Sequence, residues 1–259
     1  MKLHFYKYDG AGNDFVIIDC RNGYPSLTTE QIEHICHRRF GIGADGMMTL
    51  GPSQHPFLFE MRYYNSDGKL GSMCGNGGRC IVAFAKQLGL GDGRHYDFVG
   101  FDGPHKAEVL SWDNDRGVVR LGMRDIAAET VRECHEGWFL DTGSPHYVQR
   151  VVDIDNFDVE GEGRRLRYRT DLFPEGANID FIEDMPDGRL KVRTYERGVE
   201  AETWACGTGV TACAIVSGKH SLVTRGGDFN VEFESTGSEY KNVFLIGPVS
   251  FNFEGNIEI

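Results

Sequence analysis

The sequence predicts a strand-rich α/β (α+β) protein of two similar domains, each with strands wrapped around one central apolar helix, and a cleft between the domains. Three observations predict this fold: short β-prone runs bounded by turn residues, a Cys-Gly-x-Gly motif that occurs twice, and an apolar helical run after each copy of the motif. A chain of 259 residues has room for two domains of about 130 residues each.

Local patterns predict the elements in chain order. Thr28 is a typical N-cap residue, and the stripe of Ile32, Ile35 and Cys36 that follows it predicts an amphipathic helix over 28–39. Strands are predicted for five β-prone runs, 61–65, 118–121, 176–182, 192–196 and 229–233. Turns are predicted at five Asp-Gly pairs, which begin at residues 45, 67, 92, 102 and 187.

Three stretches recur in the same order at an offset of about half the chain, which predicts an internal duplication. The pairs are 12–16 with 143–148, 61–65 with 192–196, and 74–77 with 206–209. We therefore place the first repeat at residues 1–115 and the second at 116–248, and expect the C-terminal strand, 249–259, to pack back on the first. The helical runs 80–85 and 211–216 are apolar on most faces and must be enveloped, so each is expected at the centre of its repeat.

The composition excludes several classes of protein. Apolar residues make up 40% of the chain and charged residues 25%, which excludes wholesale disorder. The 34 glycines indicate many tight turns and close backbone approaches. A net charge of −12 leaves no basic patch for nucleic acid. No apolar run approaches the roughly 20 residues of a membrane span, and the N-terminus shows no secretory signal.

Seven cysteines, an odd number, occur in a chain without a predicted signal segment. We therefore expect a cytoplasmic protein with reduced thiols and no disulfide framework. Most of these thiols are expected to be inert, and Cys20, Cys36 and Cys134 in particular lack the glycine-turn context of the repeated motif.

The Cys-Gly-x-Gly motif places a cysteine just before a helix. A helix N-terminus has unpaired N–H donors and a partial positive charge, so it binds carboxylates and lowers the pKa of a nearby thiol. A single copy would more often mark a structural cysteine, whereas two equivalent copies favour a functional pair. Two thiols facing one cleft suit a reaction that needs two bases around one carbon.

Inversion of the α-carbon of an amino acid is such a reaction. One thiolate removes the proton from one face while the other group, a thiol, supplies a proton to the opposite face. The helix N-termini would hold the α-carboxylate and stabilise the developing negative charge. This chemistry needs no electron-sink cofactor and no metal.

Five segments resemble the diaminopimelate epimerase family, in order and over nearly the whole chain. They are Gly10–Phe15, Asn65–Gly68, Met73–Cys80, Tyr195–Gly198 and Ala205–Gly209. The resemblance implies interconversion of LL- and meso-diaminopimelate without a cofactor, in the lysine and peptidoglycan pathways. It also implies two α/β domains, each a curved, mostly antiparallel sheet around a central helix, with catalytic cysteines facing across a cleft. The expected partner is a small amino-acid substrate, and if the chain assembles, the expected assembly is a homodimer.

Carried over by position, the resemblance implies that Cys74 and Cys206 are the acid/base pair and that His146 and Glu196 support them. The implied substrate-binding residues are Asn13, Asn65, Gly75, Asn76, Asn178, Glu196, Arg197, Gly207 and Thr208. Two positions depart from the family pattern. Gly46 and Ser144 stand where the family usually has a glutamine and an asparagine, which puts strict diaminopimelate specificity in question.

Two alternatives remain open at this stage. The first is a proline racemase-like two-cysteine isomerase, although Asn76, Arg79 and Arg197 favour a substrate with a second carboxylate. The second is a thiol redox or metal-binding protein, since four thiols could be drawn as a zinc site. Those thiols are Cys74, Cys80, Cys206 and Cys213, with spacings wider than zinc sites usually have. The G-x-G-x-x-G match at 41–46 follows a predicted helix instead of a strand, so it does not favour dinucleotide binding.

Overall fold

The computed structural model describes residues 1–71 and 74–259. It divides the chain into two compact units, Met1–Leu121 with Gly247–Ile259, and Gly122–Ile246. Met73, at the start of one segment with family resemblance, lies outside the described residues. None of the helices in the described part of the chain is long and apolar enough to cross a membrane.

The elements of the first unit, in chain order, are β1 (Lys2–Gly10), β2 (Asn13–Asp19), α1 (Thr29–Cys36), β3 (Gly46–Gly51), β4 (Glu60–Asn65), α2 (Gly75–Gln87), β5 (His95–Gly100), β6 (Gly103–Asp113) and β7 (Arg116–Gly122). The chain then continues into the second unit. Its elements are β8 (Ile126–Ala127), a short 3₁₀ turn (Ala128–Thr130), β9 (Arg132–Cys134), β10 (Gly137–Asp141), β11 (Pro145–Arg150), α3 (Val159–Arg167), β12 (Asn178–Asp184), β13 (Leu190–Glu196), β14 (Ala201–Thr203), α4 (Gly207–Ser217), β15 (Ser221–Val223), β16 (Asp228–Ser235) and β17 (Glu239–Glu258).

The boundary between the units lies after Leu121 and not after residue 115 as predicted. The predicted boundary falls in the turn between β6 and β7, where Asn114 takes a left-handed conformation with φ of 51°. The two strands form an antiparallel hairpin in which Asp113 pairs with Arg116 and Ala107 with Leu121. A hairpin cannot be divided without breaking its ladder, so β7 belongs to the first unit. At the other end of the chain, β17 pairs with β16 up to Ile246 and with β7 and β1 beyond it.

The predicted duplication is confirmed by the topology of the two units. In the first, β1 runs antiparallel to β2, β2 parallel to β3, and β3 antiparallel to β4, with α2 next in the chain. In the second, β10, β11, β12 and β13 repeat this pattern before α4. Each parallel pair is connected through a helix, α1 or α3, as parallel strands require a crossover.

The helices that follow the cysteine motifs are central, as predicted. Cys80–Ala85 in α2 are all buried, and so are Val210–Ile215 in α4. The N-cap residues of the two helices, Cys74 and Cys206, have nearly the same extended conformation, with φ, ψ of −105°, 122° and −110°, 113°. The repeat therefore extends to the backbone on which each cysteine is held.

The first helix begins as predicted and ends earlier. Thr28 caps it in a reciprocal capping box with Gln31, and the predicted apolar stripe is buried. The helix stops at Cys36 because backbone N–H groups of residues 42–44 donate to the carbonyls of Ile35 and Cys36. Those carbonyls are then no longer available to a further turn, so residues 37–39 leave the helix.

Helix α3 is not predicted by the sequence patterns, because it contains two glycines, which disfavour helices. Asp158 caps its N-terminus by accepting a hydrogen bond from the backbone of Gly161. Gly163 lies against the ring of Tyr195, where a Cβ atom would come within 2.4 Å of the tyrosine Cβ. Packing against β13, and not intrinsic helix propensity, therefore stabilises this helix.

Candidate active site

The candidate site of the first unit lies at one edge of its sheet. The register places Phe15 beside Gly46 and Gly46 beside Asn65, so β2 and β3 begin where β4 ends. Asn13 is the first residue of β2, two positions before Phe15, and therefore lies on the same face as Phe15. Helix α2 packs on β2 and β3.

Asn13 connects the cysteine of this unit to its surroundings. Its Oδ1 atom accepts hydrogen bonds from the Cys74 thiol, at 3.6 Å, and from Nδ2 of Asn76, at 3.2 Å. Its own Nδ2 group donates to Asp45 at 2.7 Å. Asp45 therefore fixes the orientation of the amide so that its oxygen faces the thiol. Asp45 is not among the residues that the sequence predicts for the site.

A charged network holds Asp45 in place. Arg38 donates to Asp45 at 2.6 Å and to Asp14 at 2.7 Å, and Lys7 also pairs with Asp14. Burial would raise the pKa of Asp14, but the hydrogen bonds from Arg38 and Lys7 outweigh it and lower that pKa to about 2. Asp14 therefore remains ionised at neutral pH, and its ion pairs anchor the segments that carry Asn13 and Asp45.

Arg79 is fully buried at the start of α2. Its guanidinium donates to Oδ1 of Asn76 at 2.9 Å and to the carbonyls of Gly75 and Pro248 at 3.3 and 3.4 Å. Burial lowers the pKa of Arg79 to about 10. These bonds turn the Asn76 amide so that its nitrogen faces Asn13. Arg79 thus orients the first turn of the helix, whereas the sequence suggested it as a contact for a second carboxylate.

The second unit places Cys206 in a different polar environment. Its Sγ atom lies 3.4 Å from the Thr208 hydroxyl, which lies 2.9 Å from Nε2 of His146. Nδ1 of His146 is 2.7 Å from Oδ2 of Asp180, and Thr194 donates to the other carboxylate oxygen at 2.7 Å. His146 and Asp180 are both completely buried.

Asp180 is a residue that sequence reasoning missed. The available signal was a carboxylate between two apolar strand residues, Ile179 and Phe181, because a buried charge needs partners. The second glycine of the motif gives Asp180 its space: a Cβ atom on Gly209 would lie 2.4 Å from its Oδ1 atom. The motif therefore requires glycine here for close packing of the carboxylate against the first turn of α4.

Burial raises the pKa of Cys206 well above its ordinary value, and the carboxylates of Glu196 and Asp180 raise it further. Hydrogen bonds from Thr208 and from the backbone of Gly209 oppose this shift without reversing it. The expectation of a lowered thiol pKa is therefore wrong for Cys206. The helix N-terminus is outweighed by desolvation and by two negative neighbours.

Asn178 and Arg197, both predicted to bind substrate, are neighbours in the second unit. Nδ2 of Asn178 donates to the Ser144 hydroxyl at 2.9 Å, and its Oδ1 accepts from the backbone N–H of Arg197 at 2.9 Å. Ser144, where the family usually has asparagine, thus still holds a polar contact. The Arg197 side chain donates to the carbonyl of Glu175 and lines a cavity of about 480 Å³ in the second unit.

The predicted turn at Asp45-Gly46 is wrong, although the glycines of the other four Asp-Gly pairs have the positive φ of turn residues. Gly46 begins β3 and is buried. A Cβ atom there would lie 2.6 Å from Cε2 of Tyr63 and 2.7 Å from the carbonyl oxygen of Tyr64. The Tyr63 ring therefore occupies the space into which the usual glutamine would extend.

We expect Gly46→Ala to lower the free energy of unfolding by about 1–3 kcal/mol, the cost of overpacking a buried position. Because part of the clash is with the Tyr63 ring, the loss should shrink but not vanish in a Tyr63→Ala background, and a double-mutant cycle in urea unfolding measures this coupling. Tyr64→Ala provides the control background, since only its backbone approaches Gly46. Unchanged stability of Gly46→Ala would contradict the packing described.

The other predicted residues are divided between the units. Asn65 is exposed at the end of β4 and Gly75 is buried at the start of α2, while Gly207 begins α4 and Glu196 is half-buried at the end of β13.

No group of three or more His, Cys, Asp or Glu side chains is arranged to hold a metal ion within residues 1–71 and 74–259.

Each of the two units repeats one α+β design and carries a cysteine at the N-terminus of its central helix, which is the architecture of an epimerase fold. The chain belongs to the diaminopimelate epimerase family, whose model matches residues 5–124 and 138–248.

Relatives and solved structures agree with this membership. The chain is 43% identical to the diaminopimelate epimerase of Flavobacterium psychrophilum, over 99% of this chain and 100% of that protein. It is 38% identical to that of Aquifex aeolicus, over 98% of each chain. The crystal structure of a hydroxyproline epimerase from Agrobacterium vitis aligns with a TM-score of 0.69 at 14% identity, over 99% of this chain and 92% of that one. The last likeness shows the fold alone.

Proposed function

We propose that the protein is a cofactor-independent epimerase that interconverts LL- and meso-diaminopimelate, with Cys74 and Cys206 as the two acid/base groups. One observation carries the proposal: each cysteine is the N-cap of a central helix, in two units of the same topology. A reaction that inverts one carbon needs one proton-transfer group on each face. The duplicated thiols supply such a pair.

In the proposed reaction, one cysteine thiolate removes the α-proton and the other cysteine thiol delivers a proton to the opposite face. The roles exchange in the reverse direction. Backbone N–H groups in the first turns of α2 and α4, at Gly75-Asn76 and Gly207-Thr208, hold the α-carboxylate. The partial positive charge of each helix N-terminus stabilises the negative charge that develops as the proton leaves.

The remaining residues orient the substrate. The carbonyl oxygens of the Asn13 and Asn65 side chains and the carboxylate of Glu196 can accept hydrogen bonds from ammonium groups. Arg197 can bind the distal carboxylate with two parallel hydrogen bonds, which a point charge could not supply. A substrate with two amino-acid ends uses both kinds of group.

The proposed reaction belongs to lysine and peptidoglycan precursor biosynthesis. We place it in the cytoplasm, because acid/base catalysis by two cysteines requires that both thiols stay reduced. Oxidation of either sulfur would remove the group that carries the proton.

Epimerisation of LL-diaminopimelate in deuterium oxide tests this proposal. Because different groups serve the two faces, the product should carry solvent deuterium at its new α-position, whereas unreacted substrate should gain little. Mass spectrometry of the separated isomers measures both. Extensive retention of the substrate's own proton in the product would count against two bases. Proline in the same assay tests the proline racemase-like alternative, and its efficient turnover would favour that alternative.

A further inference from the structure

A chain of hydrogen bonds within the second unit links the Cys206 thiol to a buried carboxylate. It runs from Sγ of Cys206 to the Thr208 hydroxyl (3.4 Å), on to Nε2 of His146 (2.9 Å), and from Nδ1 of His146 to Asp180 (2.7 Å). The last two residues are completely shielded from solvent. The position of each proton in this chain can be inferred from the hydrogen bonds that Asp180 accepts.

An ionised carboxylate can only accept hydrogen bonds. Asp180 accepts one from the Thr194 hydroxyl at Oδ1 and one from the imidazole at Oδ2, so Nδ1 of His146 carries the proton. A neutral imidazole with its proton on Nδ1 has a lone pair on Nε2. The first turn of α4, against which Asp180 packs at Gly209, favours the negative charge on this carboxylate.

The neighbouring amide of Asn178 is compatible with a lone pair on Nε2. Its Nδ2 atom lies 3.4 Å from this nitrogen, farther than from the acceptors of its two hydrogens, the Ser144 hydroxyl at 2.9 Å and the Pro145 carbonyl at 3.0 Å, and an amide NH₂ can only donate. The orientation of that amide is fixed independently, because its oxygen accepts from the backbone N–H of Arg197. With Nε2 as an acceptor, the Thr208 hydroxyl donates to it and turns an oxygen lone pair toward Cys206. Cys206 is then the donor to Thr208, which makes it a thiol.

We propose that Asp180 is a positioning residue that sets the direction of this chain, so that Cys206 rests as a thiol whose proton can pass to His146. In that step the Cys206 proton moves to the Thr208 oxygen while the hydroxyl proton of Thr208 moves to Nε2 of His146. The products are a Cys206 thiolate, which accepts a hydrogen bond from Thr208, and an imidazolium paired with the Asp180 carboxylate. No further reactant is needed. The inference rests on the proposed function for its catalytic meaning.

The charges that face Cys206 fit a thiol at rest. Glu196 of β13 and Asp180 of β12 both disfavour a thiolate, and Cys213 lies on the same helix. The chain through His146 offsets them only when the imidazole takes up the proton, because the imidazolium then faces Asp180. Cys206, with its hydrogen-bonded partners, can therefore serve as an acid or as a base.

Asp180→Asn tests the proposal because it keeps the shape of the side chain and changes the proton pattern. The amide introduced by this substitution can donate to Nδ1 of His146, which moves the imidazole proton to Nε2 and reverses the direction of the chain. We expect ¹⁵N NMR at neutral pH to show the Nδ1–H tautomer in the parent and the Nε2–H tautomer in Asp180→Asn, with the signal assigned by loss in His146→Gln. We expect kcat to fall by roughly 10- to 100-fold, as when an outer partner of an orienting imidazole is removed, and KM to change little.

Asp184→Asn is the matched control, since Asp184 is an exposed carboxylate on the same strand that pairs with Arg150. It should change neither the tautomer nor kcat. Thr208→Ser and Thr208→Val test the middle of the chain without touching Asp180. The serine variant keeps the hydroxyl and should keep kcat within a few-fold, while the valine variant should lose as much as Asp180→Asn. The double variant with Thr208→Val and Asp180→Asn should have a kcat only slightly lower than that of either single variant.

The tautomer is measured without substrate, so its outcome is independent of whether diaminopimelate is the substrate. An Nε2–H tautomer in the parent would overturn the proposal, and so would an unchanged kcat in Asp180→Asn or in Thr208→Val. If Asp180→Asn did not fold, the His146 tautomer of the parent protein and the kcat values of Thr208→Ser and Thr208→Val would still test the proposal. Equal losses in Thr208→Ser and Thr208→Val would show that the hydroxyl carries no proton.

Discussion

Replacing either Cys74 or Cys206 with alanine should lower kcat for diaminopimelate by at least the roughly 10²- to 10⁴-fold that one general acid/base group contributes. Each substitution removes the proton-transfer group for one face, and a single remaining thiol cannot invert the carbon. The double variant should be little worse than either single one, because the two thiols act as a unit. Steady-state epimerisation in both directions measures the effect.

Cys134→Ala is the matched control for these variants. Cys134 lies on β9, away from either Cys-Gly-x-Gly motif, and its substitution should leave turnover almost unchanged. Near-normal turnover of Cys206→Ala would contradict the two-base assignment. Thermal unfolding of each variant separates loss of chemistry from loss of fold, since Cys206 is 8% exposed and its replacement removes a buried sulfur.

The second large effect is expected at Arg197. Arg197→Met keeps the length and apolar bulk of the side chain and removes its charged fork. A carboxylate left without its charge-assisted hydrogen bonds loses about 1.5–3 kcal/mol, which corresponds to a rise in KM of roughly 10- to 150-fold. Arg197→Lys keeps the charge without the bidentate geometry, so its KM should fall between those of the parent and the methionine variant.

The backbone role of Arg197 should survive in both variants, because its N–H still donates to Asn178. Arg189→Met is the control: Arg189 is a partly exposed arginine of the same unit that pairs with Asp187 and Asp228. It should leave KM unchanged. An unchanged KM in Arg197→Met would contradict the distal-carboxylate role.

The amino-acid sequence by itself determined the duplication, the two central helices and the two cysteines at their N-termini. These features are local: apolar residues on all faces of a helix, glycines after a cysteine, and a capping box at Thr28. They can be predicted because neighbouring residues carry the information and the second copy reinforces the first. Family membership followed from the same short motifs.

Only the tertiary structure decided which side chains support the thiols. Asp45, just before β3, reaches Asn13 on β2, and Asp180 on β12 reaches His146 on β11. In each case the two strands are adjacent in the sheet but more than 30 residues apart in sequence. The partners of the buried Arg79 likewise include a carbonyl near the C-terminus. Local sequence patterns do not show which distant strands become neighbours in the sheet, so they contain no information on such pairs. The position of the Tyr63 ring over Gly46 likewise depends on contact between neighbouring strands. The early end of α1 and the unit boundary depend on nearer contacts, those of residues 42–44 with α1 and of β6 with β7.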